Sequence, residues 1–111
     1  MTYSMKLKIA RAIESFMFKY GMETSTRIYF SGKCWDYNDG KTEIKNIKAS
    51  DYSEYSNDDT VAFHFEGDMY EVMNMYCGYK LYDEFDALMR EVSGDYYFEM
   101  GHSWNCSWYG G

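Results

Sequence analysis

Between Tyr96 and Tyr109 the chain alternates in phase for fourteen residues. Tyr96, Phe98, Met100, His102, Trp104, Cys106 and Trp108 fall on one side. Tyr97, Glu99, Gly101, Ser103, Asn105, Ser107 and Tyr109 fall on the other. Successive side chains of extended backbone point to opposite faces, so a two-residue period dictates sheet with one face against a core. As a single strand the segment would reach roughly 45 Å, longer than usual. A bend or bulge at Gly101, or a tight hairpin near it, is therefore expected. The alternation puts Trp104 in the core, where truncation to alanine would cost about 3 to 5 kcal/mol.

Other segments supply the partner strands. Val61, Phe63 and Phe65 alternate with Ala62, His64 and Glu66, the pattern of a half-buried strand. Gly67-Asp68 reads as a two-residue hairpin turn, which sets Val72 opposite Phe63 and Glu71 opposite His64. Residues 26–37 are rich in β-branched and aromatic side chains and read as extended. Asn38-Asp39-Gly40 is a turn signal, and residues 41–48 return as a strand. Lys41, Lys45 and Lys48 suit a sheet edge that must not pair with other chains.

Two segments carry the helical period. Ile9, Ile13, Phe16, Met17 and Tyr20 predict a helix over residues 4–20, closed by Gly21 with Lys19 at the negative end of the dipole. Leu81, Phe85, Leu88, Met89 and Val92 predict a second over 79–93, with Asp83, Glu84 and Asp86 in its first turns. Asp86 and Arg90 stand at i,i+4, and Ser93-Gly94 ends the helix. The acidic stretch 49–60 reads as a surface loop. The order α-β-β-β-β-α-β predicts one α+β domain over residues 1–111: an antiparallel sheet of four to six strands with two helices packed on it.

Aromatics replace aliphatics in the core of such a domain. The chain has thirteen Tyr, seven Phe, three Trp and nine Met, against three Leu. Aromatic rings bury much area with few rotamers to freeze, so a core forms without leucine. Cys34, Cys77 and Cys106 are odd in number and widely spaced, which does not make a disulfide framework and points to a reducing, cytoplasmic setting. No apolar run of signal-peptide or membrane-spanning length is present.

Charge divides the chain. Residues 1–50 carry nine Lys/Arg and five Asp/Glu, a balance of +4; residues 51–111 carry two and thirteen, a balance of −11. Eight tyrosines from Tyr52 to Tyr97 accompany those acids. Such a surface repels nucleic acid and attracts proteins that bind it. The basic helix face of Lys8, Arg11 and Lys19 could instead meet the acidic half of a second copy, so self-association is a further expectation.

Chemistry-bearing motifs are few. His102 and Cys106 share a face if the strand is straight, but stand roughly 13 Å apart, too far for one zinc ion. No metal, cofactor or catalytic site is expected. Asp36–Glu43 fails the spacing of a calcium loop. Two pairs keep an alternative open, a small ligand-binding domain or enzyme using His64 with Glu71 or His102 with Cys106.

In its size, acidity, aromatic richness and lack of motifs the chain resembles the small acidic inhibitors of phages and mobile elements, such as anti-CRISPR and anti-restriction proteins. It also resembles the acidic immunity proteins of nuclease toxins. The resemblance implies a protein without catalytic activity that occludes the nucleic-acid site of a nuclease, restriction enzyme or CRISPR effector, with carboxylates standing in for phosphates. The residues expected to meet that partner are Asp51, Glu54, Tyr55, Asp58, Asp59, Tyr79, Tyr82, Asp83, Glu84 and Asp86.

Overall fold

The computed structural model of the chain describes residues 1–38 and 40–110. Its elements, in order, are α1 (Tyr3–Tyr20), β1 (Thr26–Phe30), β2 (Lys33–Asn38), β3 (Lys41–Lys45), a 3-10 turn (Ala49–Asp51), β4 (Val61–Phe65), α2 (Asp68–Met73), α3 (Lys80–Val92), β5 (Tyr96–Met100) and β6 (Asn105–Gly110). The strands form one antiparallel sheet in the order β3-β2-β1-β4-β6-β5. The class is α+β as expected, with six strands and three α-helices among the described residues.

Helix α1 forms where its stripe predicts: Ile9, Ile13, Phe16 and Met17 are buried. The Thr2 side chain accepts from the Met5 N–H at the start, and Gly21, at φ 64°, lets the last carbonyls be capped. With α2 and α3 it covers one face of the sheet, where Ile28, Phe30, Tyr37, Phe63, Phe65, Cys106 and Trp108 complete a single apolar core. Phe85 of α3 meets Phe16 edge-on at 5.2 Å and Phe98 at 5.6 Å, the offset geometry that ring quadrupoles favour.

The structure corrects four local expectations. Residues 26–37 are a hairpin and not one extended run. Ser31 and Gly32 both take positive φ (51° and 73°), which turns the chain in two residues and sets Phe30 opposite Lys33. Gly67-Asp68 is not a hairpin turn. Gly67 leaves β4 at φ 65° and the chain enters α2, which buries Met69, Val72 and Met73 at helical spacing. Glu71 therefore sits exposed on a helix and does not face His64 across a ladder. Strand β4 is buried along its whole length on both faces, not half-buried. Strand β3 ends at Lys45, so Lys48 lies beyond it. Asp39, at the centre of the predicted Asn38-Asp39-Gly40 turn, lies outside the described residues; Asn38 and Lys41 face each other across the β2–β3 pair.

The long C-terminal alternation folds as the β5–β6 hairpin, with Phe98 opposite Trp108 and Met100 opposite Cys106. The break falls between Met100 and Asn105. The Gly101 N–H donates to the Asn105 carbonyl at 3.0 Å, and the Asn105 side chain accepts from the His102 N–H at 2.5 Å. Trp104 lies in this turn and is only half-buried, whereas Trp108 is fully buried.

Residues 46–60 do not stand off as a free surface loop. They cross the outer face of the sheet, where Ala49 and Ile47 pack with Tyr29, Cys34 and Ala62. Asn57 and Thr60 both donate to the Trp108 carbonyl, at 3.1 and 2.6 Å, and the buried Asn105 side-chain amide donates to the Ser53 hydroxyl at 2.9 Å. Gly101 fits beneath: a Cβ there would stand 2.6 Å from the Tyr55 carbonyl oxygen.

Candidate functional site

Two surface regions emerge. The first surrounds β5, a strand whose outer edge has no partner among the described residues. On the helix side, Tyr82, Asp86 and Arg90 of α3 line a groove of about 480 Å³ with Asp95, Tyr97 and Phe98. On the outer side, Glu54, Tyr55, Glu99, Met100 and Tyr109 line a second depression. Tyr55 and Tyr97 are about half exposed, at 55% and 52%. The edge thus joins part of the predicted partner surface: Glu54, Tyr55, Tyr82 and Asp86 converge on it.

The remaining predicted residues do not. Asp51 caps the 3-10 turn by accepting from the Lys48 N–H at 3.0 Å. Asp58 accepts from the Ser50 N–H at 3.2 Å and from the Ser50 hydroxyl. Asp58 and Asp59 share a hollow with Lys33 and Lys48, so their field is partly cancelled. Glu84 lies on the seam between α1 and α3, accepting from the Tyr20 hydroxyl at 2.7 Å with the Lys19 ammonium at 3.5 Å. That hydroxyl, and then Lys19, hold its carboxyl below the usual range. Asp83 and Tyr79 are exposed near the start of α3. The acids were thus one group in sequence but lie on both sides of the sheet, because the 46–60 segment covers one face and α3 the other.

The second region lies on the outer face over β1, β2 and β4. Asp36 is nearly buried and its Oδ2 accepts from Arg27 Nε at 3.1 Å and Lys45 Nζ at 2.8 Å. These three residues come from three strands: the register pairs Arg27 with Asp36, and Lys45 with Cys34 two residues away. The Tyr52 ring covers the Arg27 guanidinium at 5.1 Å. His64 stands opposite Arg27 on β4. Its ring packs on Tyr29 at 4.5 Å and meets Trp104 edge-on at 5.0 Å. Burial, then Arg27 and His102, push the His64 pKa down to about 4, so the imidazole is neutral at pH 7. Burial raises Tyr29 to about 12 and Cys34 to about 11, which keeps both protonated. Of this group only His64 was a candidate site residue from the sequence; Lys45 was read as an edge lysine and Trp104 as core. Arg27, Asp36 and Lys45 are far apart along the chain, and only the strand register unites them.

The second predicted pair is also separated. Cys106 points into the helix-side core, where burial raises its thiol pKa. His102 stacks on Trp104 at 5.1 Å and touches Tyr55 at 4.9 Å, in the aromatic row of the outer face. Among the described residues no three His, Cys, Asp or Glu side chains gather as a metal site would require. No helix of the described residues is long and apolar enough to cross a membrane. Comparison with protein families, characterised proteins and solved structures finds no match to this chain.

Proposed function

We propose that this protein is a small acidic inhibitor of cytoplasmic nucleic-acid-processing proteins, working by occlusion without chemistry. It docks the β5 edge and its flanks against a basic, nucleic-acid-binding surface of a nuclease, restriction enzyme or CRISPR effector. The observation that carries the reading is the composition of that edge. A strand edge without a partner among the described residues is bordered by carboxylates (Glu54, Asp95, Glu99, and Asp86 paired with Arg90 at 2.9 Å) and by exposed tyrosines (Tyr55, Tyr97). Carboxylates complement lysine and arginine and speed encounter, and tyrosine supplies rigid contact area at little entropic cost. An open edge also offers backbone groups for strand addition.

The test is a binding assay against purified Cas9- and Cas12-type effectors and restriction enzymes, with and without competing DNA. One effector is expected to bind, to release when DNA is added, and to weaken steeply as salt rises. Reversing Glu54, Asp86, Asp95 and Glu99 to lysine should abolish binding and leave the circular dichroism spectrum unchanged. Undiminished binding of that quadruple variant would reject the edge as the contact surface.

A further inference from the structure

The outer-face groove is independent of the β5 edge and is built as a small-ligand site. It encloses about 400 Å³, within the range of such sites. By register its lining falls in successive rows along the strands. Lys45 stands beside Cys34; Arg27, Asp36 and His64 form the next row; Ser25, Asn38 and Glu66 lie beyond. Rows two residues apart are separated by about 7 Å; the Lys45 ammonium reaches Asp36 in the Arg27 row, so the cationic groups stand one row from Glu66 along the backbone. Tyr52 closes over Arg27 and Trp104 stands against His64, giving the groove two aromatic walls.

Three features leave unused hydrogen-bonding capacity or backbone strain in the groove. Arg27 uses Nε on Asp36 and one Nη1 hydrogen on Tyr29, at 3.1 and 3.4 Å; the other guanidinium hydrogens have no protein acceptor among the described residues. Asp36 alone cannot neutralise both Arg27 and Lys45, and Glu43, opposite it on β3, also acts on Lys45, so it is the unused Arg27 hydrogens that mark this end. His64 is 7% exposed, yet its Nε2 has no hydrogen-bond partner among the described residues. An unsatisfied buried polar group of this kind costs about 1 to 3 kcal/mol. Ser25, at the far end, is held at φ 64° by its N–H to the Tyr37 carbonyl and its carbonyl to the Glu66 N–H, both 3.0 Å. A non-glycine residue kept in the left-handed region is strain of the kind that gathers at binding sites.

We infer that the groove binds a small planar anion of mononucleotide size, with its phosphate on Arg27 and Lys45, its ring between Tyr52 and Trp104 beside His64, and a ring amino group toward Glu66. The unused Arg27 hydrogens and the Lys45 ammonium donate to the anion, the walls recognise the ring, and the Glu66 carboxylate accepts from the amino group. A polynucleotide is disfavoured because the chain carries a net charge of −7.

The full chain, labelled with ¹⁵N, would be titrated with AMP, adenosine, inorganic phosphate and the oligonucleotide dT8, following the Arg27 Nε, His64 ring and Trp104 indole signals. AMP should give saturable shifts at all three. Adenosine and phosphate, each lacking half of the contacts, should bind at least about tenfold more weakly. Lys45 is partly exposed and outside the core, so Lys45→Met should keep the fold and weaken AMP about tenfold, while Lys45→Arg retains it. No saturable response to AMP by about 10 mM, equal binding of adenosine, or undiminished binding by Lys45→Met would each overturn the assignment. Tighter binding of dT8 than of AMP would also overturn it, in favour of a single-strand site.

Discussion

Phe63 and His64 are neighbours in β4, both shielded from solvent, and their surroundings have little in common. Phe63 points into the helix-side core, 5.0 Å from Phe65 and 6.3 Å from Phe85. His64 points to the outer face, among Tyr29, Trp104 and the Arg27 side of an ion-paired cluster. One face is filled by shape and is insensitive to charge. The other is filled by an ordered stretch of polar chain, and its stability depends on pairing and protonation. Similar depth on a sheet therefore does not imply similar energetics; what lies above the strand decides.

The sharpest test of that contrast is Trp108→Ala. Trp108 is fully enclosed by the helix-side core, so the loss should be about 3 to 5 kcal/mol in urea unfolding at neutral pH. A cost of 1 kcal/mol or less, on the order of a surface change, would mean the aromatic core tolerates a large cavity.

Next comes proton uptake on the outer face. The His64 pKa is about 4 in the fold against 6.5 for a free histidine. As pH falls the unfolded chain takes the proton first. The stability linked to neutral His64 is therefore fully present above about 6.5, drains away between 6.5 and 4, and changes no further below. Across that window the loss amounts to about 3 kcal/mol. His64→Gln should shed much less stability between about pH 7 and pH 4.5 than the parent chain. Equal losses in both proteins would locate the pH dependence in other groups.

Asp36→Asn removes the carboxylate shared by Arg27 and Lys45. It leaves a part-buried guanidinium unpaired, and a destabilisation of roughly 1 to 3 kcal/mol is expected, measured by thermal unfolding. Arg27 and Lys45 are each about a third exposed, so high salt should shrink the difference. Trp104→Ala should be the mildest, about 1 kcal/mol, because its ring is partly exposed in the turn, against His64 and His102, and not enclosed by the core. If it cost as much as Trp108→Ala, the two faces would not differ in the way described.

Trp104 also shows how far the sequence could be read. The alternation from Tyr96 to Tyr109 announces sheet, and β5 and β6 follow it. A period of two continues through a hairpin whose strands pair in phase, so it cannot tell which rings lie in the turn. The helix stripes were legible because each carries its own period: Ile9, Ile13, Phe16 and Met17 are buried as their spacing requires. Helix α2 was missed because Gly67-Asp68 fits a hairpin as well as a helix start; the spacing of Met69, Val72 and Met73 was the available signal. The Ser31-Gly32 turn was hidden in a run of strand-forming residues. The ion-paired cluster was not legible at all, since Arg27, Asp36 and Lys45 meet through pairing between strands. The acids of residues 51–59 looked like free charge, but Asp51 and Asp58 serve the local turns of their own segment.

Gly101 has a mechanical consequence. With the Tyr55 carbonyl so close above it, the covering segment and the C-terminal hairpin meet there as a joint without clearance. Neither can slide without moving the other, so the position of Tyr55 and Glu54 at the sheet rim is transmitted directly from the hairpin. One added methyl group at 101 would act as a wedge, lifting the rim while leaving its chemistry intact.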